Sequence, residues 1–448
     1  MKIVVAGASD VGEHLAIILA DEEMQDITMM DTNATRLEEI SHGRDMLTFL
    51  GSPIDVRDLR NCGVEKADLF ISVMPAETEN LLACMLASRL GVEQTMARVD
   101  SARYLSTEYM PLFERMGISS LIYPEELAAE EINTIFQNPW ARQYIELFGG
   151  SIVVIGVKVR FGAEIVGKKL SEIPTGKKKS FHVVAIRRGP ETIIPTGETQ
   201  IEHGDILFFT AIASDKEVIR QISGKKKVEV GRVVMIGAGT TALRTIAKAP
   251  RNIDFVLIEK DKNRINEVQN LLPSNVTLYH GDGRNTDLLN EVGLSYAEVF
   301  VALTGNSEVN LLACLIAKQF GVFKTIAKEE NIDYFSVAEK LDIGTIINEK
   351  VITAGHIYRA LLGQDTSTVK SLTVANADVI EVVAKRGAPI VGKPIKDLEL
   401  PRGITLGGVL RNGVPFLVDG NTIIEPYDLV VAFCHDIPLR KVRKFIDS

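Results

Sequence analysis

The chain has 448 residues, 46% of them hydrophobic and 24% charged, a formal net charge of −9 and a pI near 5.5. That length accommodates two to four domains with cores of their own. The acidic balance, with no basic stripe carrying interleaved aromatics, argues against a nucleic-acid partner. Four cysteines without paired spacing (Cys62, Cys84, Cys314 and Cys434) fit a reducing cytoplasm rather than a disulfide framework. No apolar run approaches the roughly 20 residues that span a bilayer. The chain opens on a strand pattern, so no signal peptide is expected, and any work at a membrane would run through a partner.

Residues 1–125 alternate strand and helix patterns. Lys2–Gly12 reads KIVVAGASDVG, a β-branched run entering a small-residue turn and then a helix. Strands are expected at Asp26–Asp31, Met46–Leu50, Leu69–Val73, Gln94–Val99 and Ser119–Tyr123. Helical stretches between them predict a doubly wound parallel sheet, whose ligands bind at the carboxyl ends of the strands. From Pro124 a long amphipathic helix runs to Asn138-Pro139, where proline stops it. It reads either as a crossover or dimerisation element or as the plain last helix of its domain. A second helical stretch is expected over Trp140–Leu147. Residues 151–222 switch to short alternating strands, the pattern of a small α+β lobe, and Ile222–Gly231 is the natural linker. The lysine runs Lys177–Lys179 and Lys225–Lys227 read as solvated loops.

Then the scheme restarts. Val233–Ala242 reads VVMIGAGTTA. Gly51 and Gly281 stand 230 positions apart, as do Asn80–Cys84 and Asn310–Cys314, both NLLAC. In the small lobe Ile165–Lys168 and Ile390–Lys393, both IVGK, are 225 apart, while Asp205 and Asp428 are 223 apart. The chain is therefore a tandem duplication of a two-lobe unit. The expected boundaries are 1–136 and 137–222 for the first unit and lobe, and 231–352 and 353–448 for the second.

Each glycine turn is followed by a second strand ending on a carboxylate, Asp31 or Glu259. A strand–turn–helix followed by such an acid is the arrangement that binds a dinucleotide. The glycines admit the pyrophosphate, the helix N-terminus faces it, and the acid takes the ribose hydroxyls. Carboxylates there disfavour a 2′-phosphate, pointing to NAD or another adenine nucleotide rather than NADP.

The nucleotide-binding turn, Asp31…Arg36-Leu37, the Gly-Ser or Gly-Asp at the third strand end, NLLAC and the IVGK lobe signature together resemble the RCK (KTN, TrkA-N and TrkA-C) family. Two such units in one chain are similar to TrkA-type regulatory subunits of potassium uptake systems. The resemblance covers essentially the whole chain. It implies NAD(H) binding by the Rossmann units, with ATP or ADP in some relatives. It further implies small-effector binding or assembly by the lobes, self-association to a dimer or tetramer as a ring, and docking on the cytoplasmic face of a TrkH-type membrane potassium transporter. By the same resemblance the first site would use Gly7, Ala8, Ser9, Asp10, Val11, Asp31, Arg36, Gly51, Ser52, Val73, Met74 and Arg98. The second would use Gly237, Ala238, Gly239, Thr240, Thr241, Glu259, Gly281, Asp282, Leu303, Thr304 and Lys328. Ser9 stands where the fingerprint has its middle glycine, Ala242 where it has its last, and Lys328 where the first unit has Arg98, so the two sites are not expected to be equivalent.

Two rival functions belong to other classes. An NAD-dependent oxidoreductase needs an acid or base at the nicotinamide, but the seven histidines never cluster and no tyrosine has a lysine four positions on. Cys434-His435-Asp436 is the sole ligand-like string and reads as a strand end, so neither a catalytic nor a metal site is expected. A nucleotide sensor for a different channel or transporter is the other rival.

Overall fold

The β-branched runs before the glycine turns become central strands of two parallel sheets, where burial on both faces suits unbroken apolar residues. The computed structural model describes residues 1–20, 26–173, 180–189, 191–331, 333–362, 368–372, 377–437 and 439–447. Its first sheet runs in the order Leu47–Leu50, Asp26–Asp31, Lys2–Ala6, Leu69–Ser72, Gln94–Arg98, Ser120–Ile122. The second repeats it as Val276–His280, Asp254–Glu259, Arg232–Ile236, Val299–Ala302, Lys324–Lys328, Thr345–Ile347. All pairings within both sheets are parallel. Strand order reverses beside the first strand of each unit, which opens a crevice at the carboxyl ends. The fold is the expected one, tandem Rossmann-like units each followed by a small lobe.

The lobes are five-stranded and antiparallel. The first orders Glu191–Ile193, Phe181–Arg188, Ile206–Ile212, Ile152–Lys158, Gln143–Leu147. The second orders Thr368–Leu372, Ala377–Val383, Leu429–Cys434, Ile404–Arg411, Val414–Leu417. The repeated Asp205 and Asp428 are almost fully buried, and each accepts both prongs of an arginine: Arg188 at 2.9 and 2.8 Å, Arg411 at 2.8 and 2.6 Å. The pairs fasten a strand to the turn beside it, and the two lobes pack face to face. Phe208 and Phe433 share one core, and Gly407 comes so close that an added Cβ would lie 2.8 Å from the Thr210 methyl.

One expected element is corrected. The helix expected over Trp140–Leu147 is absent; Gln143–Leu147 is a strand, paired antiparallel with Ile152–Lys158 from Gln143–Gly156 to Leu147–Ile152. A helix of two turns between Pro139 and Gly149 would be marginal by itself. The ladder supplies backbone partners and places Leu147 in the core between lobes. Lys177–Lys179 lie outside the described residues.

The long helix after each sheet is a crossover. Pro124–Gln137 leaves its own unit and packs on Thr240–Lys248 of the second, placing Ile132 and Phe136 in the core with Val233 and Phe255. Asn133 Nδ2 donates to the Thr245 carbonyl at 3.1 Å, and Glu126 takes Arg244 and Lys248. Reciprocally, Glu349–Leu362 packs on Asp10–Ala20 of the first unit, burying Ala354, Ile357 and Leu361 against Leu15. The expected division at 352/353 falls inside this continuous helix. No helix among the described residues is long and apolar enough to cross a membrane.

Candidate functional site

Both glycine turns enter their helices with a glycine in the left-handed region, Gly7 at φ 109° and Gly237 at φ 89°. An added Cβ would meet the Met74 backbone nitrogen at 2.8 Å in one unit and the Leu303 carbonyl at 2.8 Å in the other. No other residue fits, because the obstacle is backbone. The strand-end acids hold these turns. Asp31 accepts from the Ala8 N–H at 2.6 Å and Glu259 from the Ala238 N–H at 2.7 Å. Their second oxygens take the next loop, Asn33 at 2.8 Å and Lys260 and Asp261 at 2.6 and 2.8 Å.

In the second unit the turn opens on a cavity of about 550 Å³. Of the expected residues, Gly237, Gly239, Glu259, Gly281, Asp282, Leu303 and Thr304 line it. Ala238 serves through its backbone, its carbonyl taking Arg264 Nε at 2.9 Å. Gly239 precedes Thr240–Lys248 with no side-chain cap, so the first N–H groups of that helix face the crevice unclaimed by a side chain. Lys260, Arg264, Gly283, Arg284, Gly305, Asn306 and Val309 line the cavity as well and were missed in the sequence. Arg264 had a readable signal: it stands from Glu259 as Arg36 stands from Asp31. Arg284 had none, since the first unit has Ile54 there. Asp282 pairs with Arg284 at 2.7 Å and Lys260 at 3.4 Å. The Arg284 guanidinium drives the Asp282 carboxyl far below the usual range.

The first unit answers the same geometry differently. Ser9 Oγ donates to the Val73 carbonyl at 2.7 Å and accepts from the Gly12 N–H at 3.3 Å, capping its own helix. Asp10 and Glu13 occupy the first turn, where a pyrophosphate would lie, and Arg36 bridges to both at 3.3 and 3.2 Å. Burial works to lower the Arg36 pKa, but Glu39 and Glu13 outweigh it and raise it on balance. Lys350 of the crossover helix also pairs with Asp10. Val11 is buried. The Gly51 N–H donates to the Asp31 carbonyl at 3.0 Å and the Ser52 N–H to Asp58 at 2.9 Å.

The asparagine of each NLLAC string clamps the crevice floor. Asn80 accepts from the Met74 N–H at 2.8 Å and donates to the Met74 and Arg98 carbonyls at 2.9 and 3.0 Å. Asn310 does the same for Thr304 and Lys328. Lys328 does not line the cavity. Its ammonium lies 3.0 Å from Glu349, the first residue of the crossover helix, and Thr241 Oγ1 donates to the same carboxylate. Arg98 takes the matching place in the first unit, pairing with Asp100 at 3.0 Å, its charge also felt by the half-buried Glu125. Burial pushes the Glu125 carboxyl up. Cys434 ends its strand, with His435 on Asp436 at 3.3 Å.

Duplicated Rossmann-like units, each with a glycine turn and a strand-end acid at its crevice and joined by exchanged helices and paired lobes, define a tandem Rossmann-like architecture. The TrkA-N domain model matches residues 3–124 and 233–349, and the TrkA-C domain model 154–223 and 379–447. The Trk system potassium uptake protein TrkA of Halomonas elongata is 31% identical over 97% of this chain and 96% of its own. That of Haemophilus influenzae is 30% identical over the same shares. The chain belongs to the TrkA family. Among solved structures, the GsuK RCK domain superposes with a TM-score of 0.60 at 14% identity, covering 99% of this chain and 94% of that one. The GsuK channel bound to NAD gives 0.59 at 14% identity over 99% and 78%. At that identity these two establish the fold.

Proposed function

We propose that the chain is a cytoplasmic NAD(H)-responsive regulatory subunit that gates a Trk-type, TrkH-like potassium transporter at the inner face of the membrane, as a homodimer or homotetramer and without catalysing a reaction. The relatives named for potassium uptake, and a fold neighbour solved with NAD, support the two halves of this reading. The observation that carries it is the second crevice. It combines an uncapped helix N-terminus, a glycine turn pressed on Leu303 and a strand-end acid, and its arginines favour the phosphates of a dinucleotide. ATP or ADP would present the same adenosine and phosphates.

A ligand does work on a partner only through different affinities for two conformations. Here the element that can respond is Glu349, held by Thr241 and Lys328 at the edge of the crevice and starting the helix packed on the first unit. A dinucleotide drawing Thr241 or Lys328 toward its phosphates loosens that hold and shifts one Rossmann unit against the other. The test is potassium flux into vesicles holding the transporter and the full chain. Wild-type flux should change with NADH. Glu349→Gln should bind NADH at least as tightly as wild type yet lose at least half of the response. A wild-type flux indifferent to NADH would overturn the gating role; an undiminished response in Glu349→Gln would overturn the route through this helix.

A further inference from the structure

A second cavity, of about 360 Å³, lies between the first lobe and the second Rossmann unit, remote from either glycine turn. Seven cationic side chains and a single carboxylate line it. Asp342 already serves four of the seven: Arg142 and Arg160 at 2.8 Å each, Lys318 at 3.0 Å and Lys158 at 3.4 Å. Despite burial, which works against it, the Lys318 ammonium and Arg142 hold the Asp342 carboxyl down to about 2. Among the described residues the other three cations form no salt bridge. Lys324 is 7% exposed and gives its ammonium to the Ala141 carbonyl at 2.7 Å. Lys225 and Lys226, expected to be plain solvated loop, form part of the cavity wall, and among the described residues neither pairs with a carboxylate. Burial and the neighbouring Arg160 and Arg142 lower the Lys225 ammonium to about 8.

A folded protein does not ordinarily gather this much like charge around a hollow without something to neutralise it. The surplus is multivalent, so the matching ligand is multivalent. The walls also carry Trp140, Phe323 and the exposed Phe161, whose ring stacks on His203 with centroids 3.9 Å apart. We propose that this cavity is an anion site for a soluble small molecule bearing a di- or triphosphate, separate from the dinucleotide crevices. Arg142, Lys158 and Arg160 come from the first lobe and its approach, Lys225 and Lys226 from the linker, and Lys318 and Lys324 from the second Rossmann unit. A phosphate chain at their centre would bind all three segments together.

The test is calorimetric titration of inorganic tripolyphosphate into the full chain kept saturated with NADH, so that the second crevice, whose helix start carries no resident acid, is filled. Wild type should bind it, and Lys225→Gln/Lys226→Gln should weaken binding at least tenfold. Removing uncompensated like charge should leave the melting temperature of the anion-free variant equal to or above that of wild type. Tripolyphosphate should then raise the melting temperature of wild type more than that of the variant. Equal affinity in both proteins, no binding by NADH-saturated wild type, or a lower melting temperature for the anion-free variant would each overturn the proposal. Vesicles carrying a polyphosphorylated inositol lipid should not displace the tripolyphosphate; displacement would assign the cavity to a lipid headgroup and overturn the soluble ligand.

Discussion

The two Rossmann units share strand order, a left-handed glycine against the fourth strand, a turn-holding acid and an asparagine clamp, yet differ in the charge at the start of the following helix. In the first, Ser9 caps the helix, Asp10 and Glu13 fill its first turn, and Arg36 is spent on them. In the second, the cap is a glycine with no side-chain bond, the first turn has no acid, and Arg264 faces the crevice beside Lys260 and Arg284. The lesson is that a shared backbone shapes both crevices alike, while a few side chains decide what charge each helix start offers. An anion at a helix N-terminus gains from the dipole only where no resident carboxylate has taken the same place.

The sharpest way to break this comparison is to remove the acids one at a time. Glu259→Ala should weaken NADH binding about 30-fold or more, or about 2 kcal/mol, while Asp31→Ala should change it less than about threefold; equal losses by calorimetry would make the sites equivalent. A smaller effect is expected from rebuilding the first site in the image of the second. Ser9→Gly/Asp10→Thr removes the cap and one acid and frees part of Arg36, so a second, weaker NADH binding event should appear in the titration, about tenfold looser than the first. Absence of that event would place the difference elsewhere than at the helix start. The smallest concerns Asp282, which occupies Arg284 and Lys260 beside Glu259. Asp282→Ala should release both cations toward a 2′-phosphate and narrow the preference for NADH over NADPH by about threefold. An unchanged ratio would show that Glu259 sets the discrimination by itself.

Much of the fold was written in local pattern. Short β-branched runs closed by glycines specify parallel strands because each residue must be buried on both faces. A duplication shows in the chain because both copies must satisfy the same packing, as with Asn80 and Asn310 or Asp205 and Asp428. The acids Asp31 and Glu259 were legible for the same reason, since position along a strand sets where its end lies. What the tertiary structure alone decided is whatever depends on groups distant in the chain. Gln143–Leu147 is a strand because Ile152–Lys158 offers it a ladder, and the backbone takes the partner that is there. The helices Pro124–Gln137 and Glu349–Leu362 trade units, although their amphipathic stripes reveal only that some apolar surface must cover them. Ser9 is read as an obstacle to a phosphate until its hydroxyl is seen between Val73 and Gly12. Lys225 is read as solvated loop until Arg142, Arg160 and Lys324 converge on it, because charge repulsion follows distance in space and not along the chain.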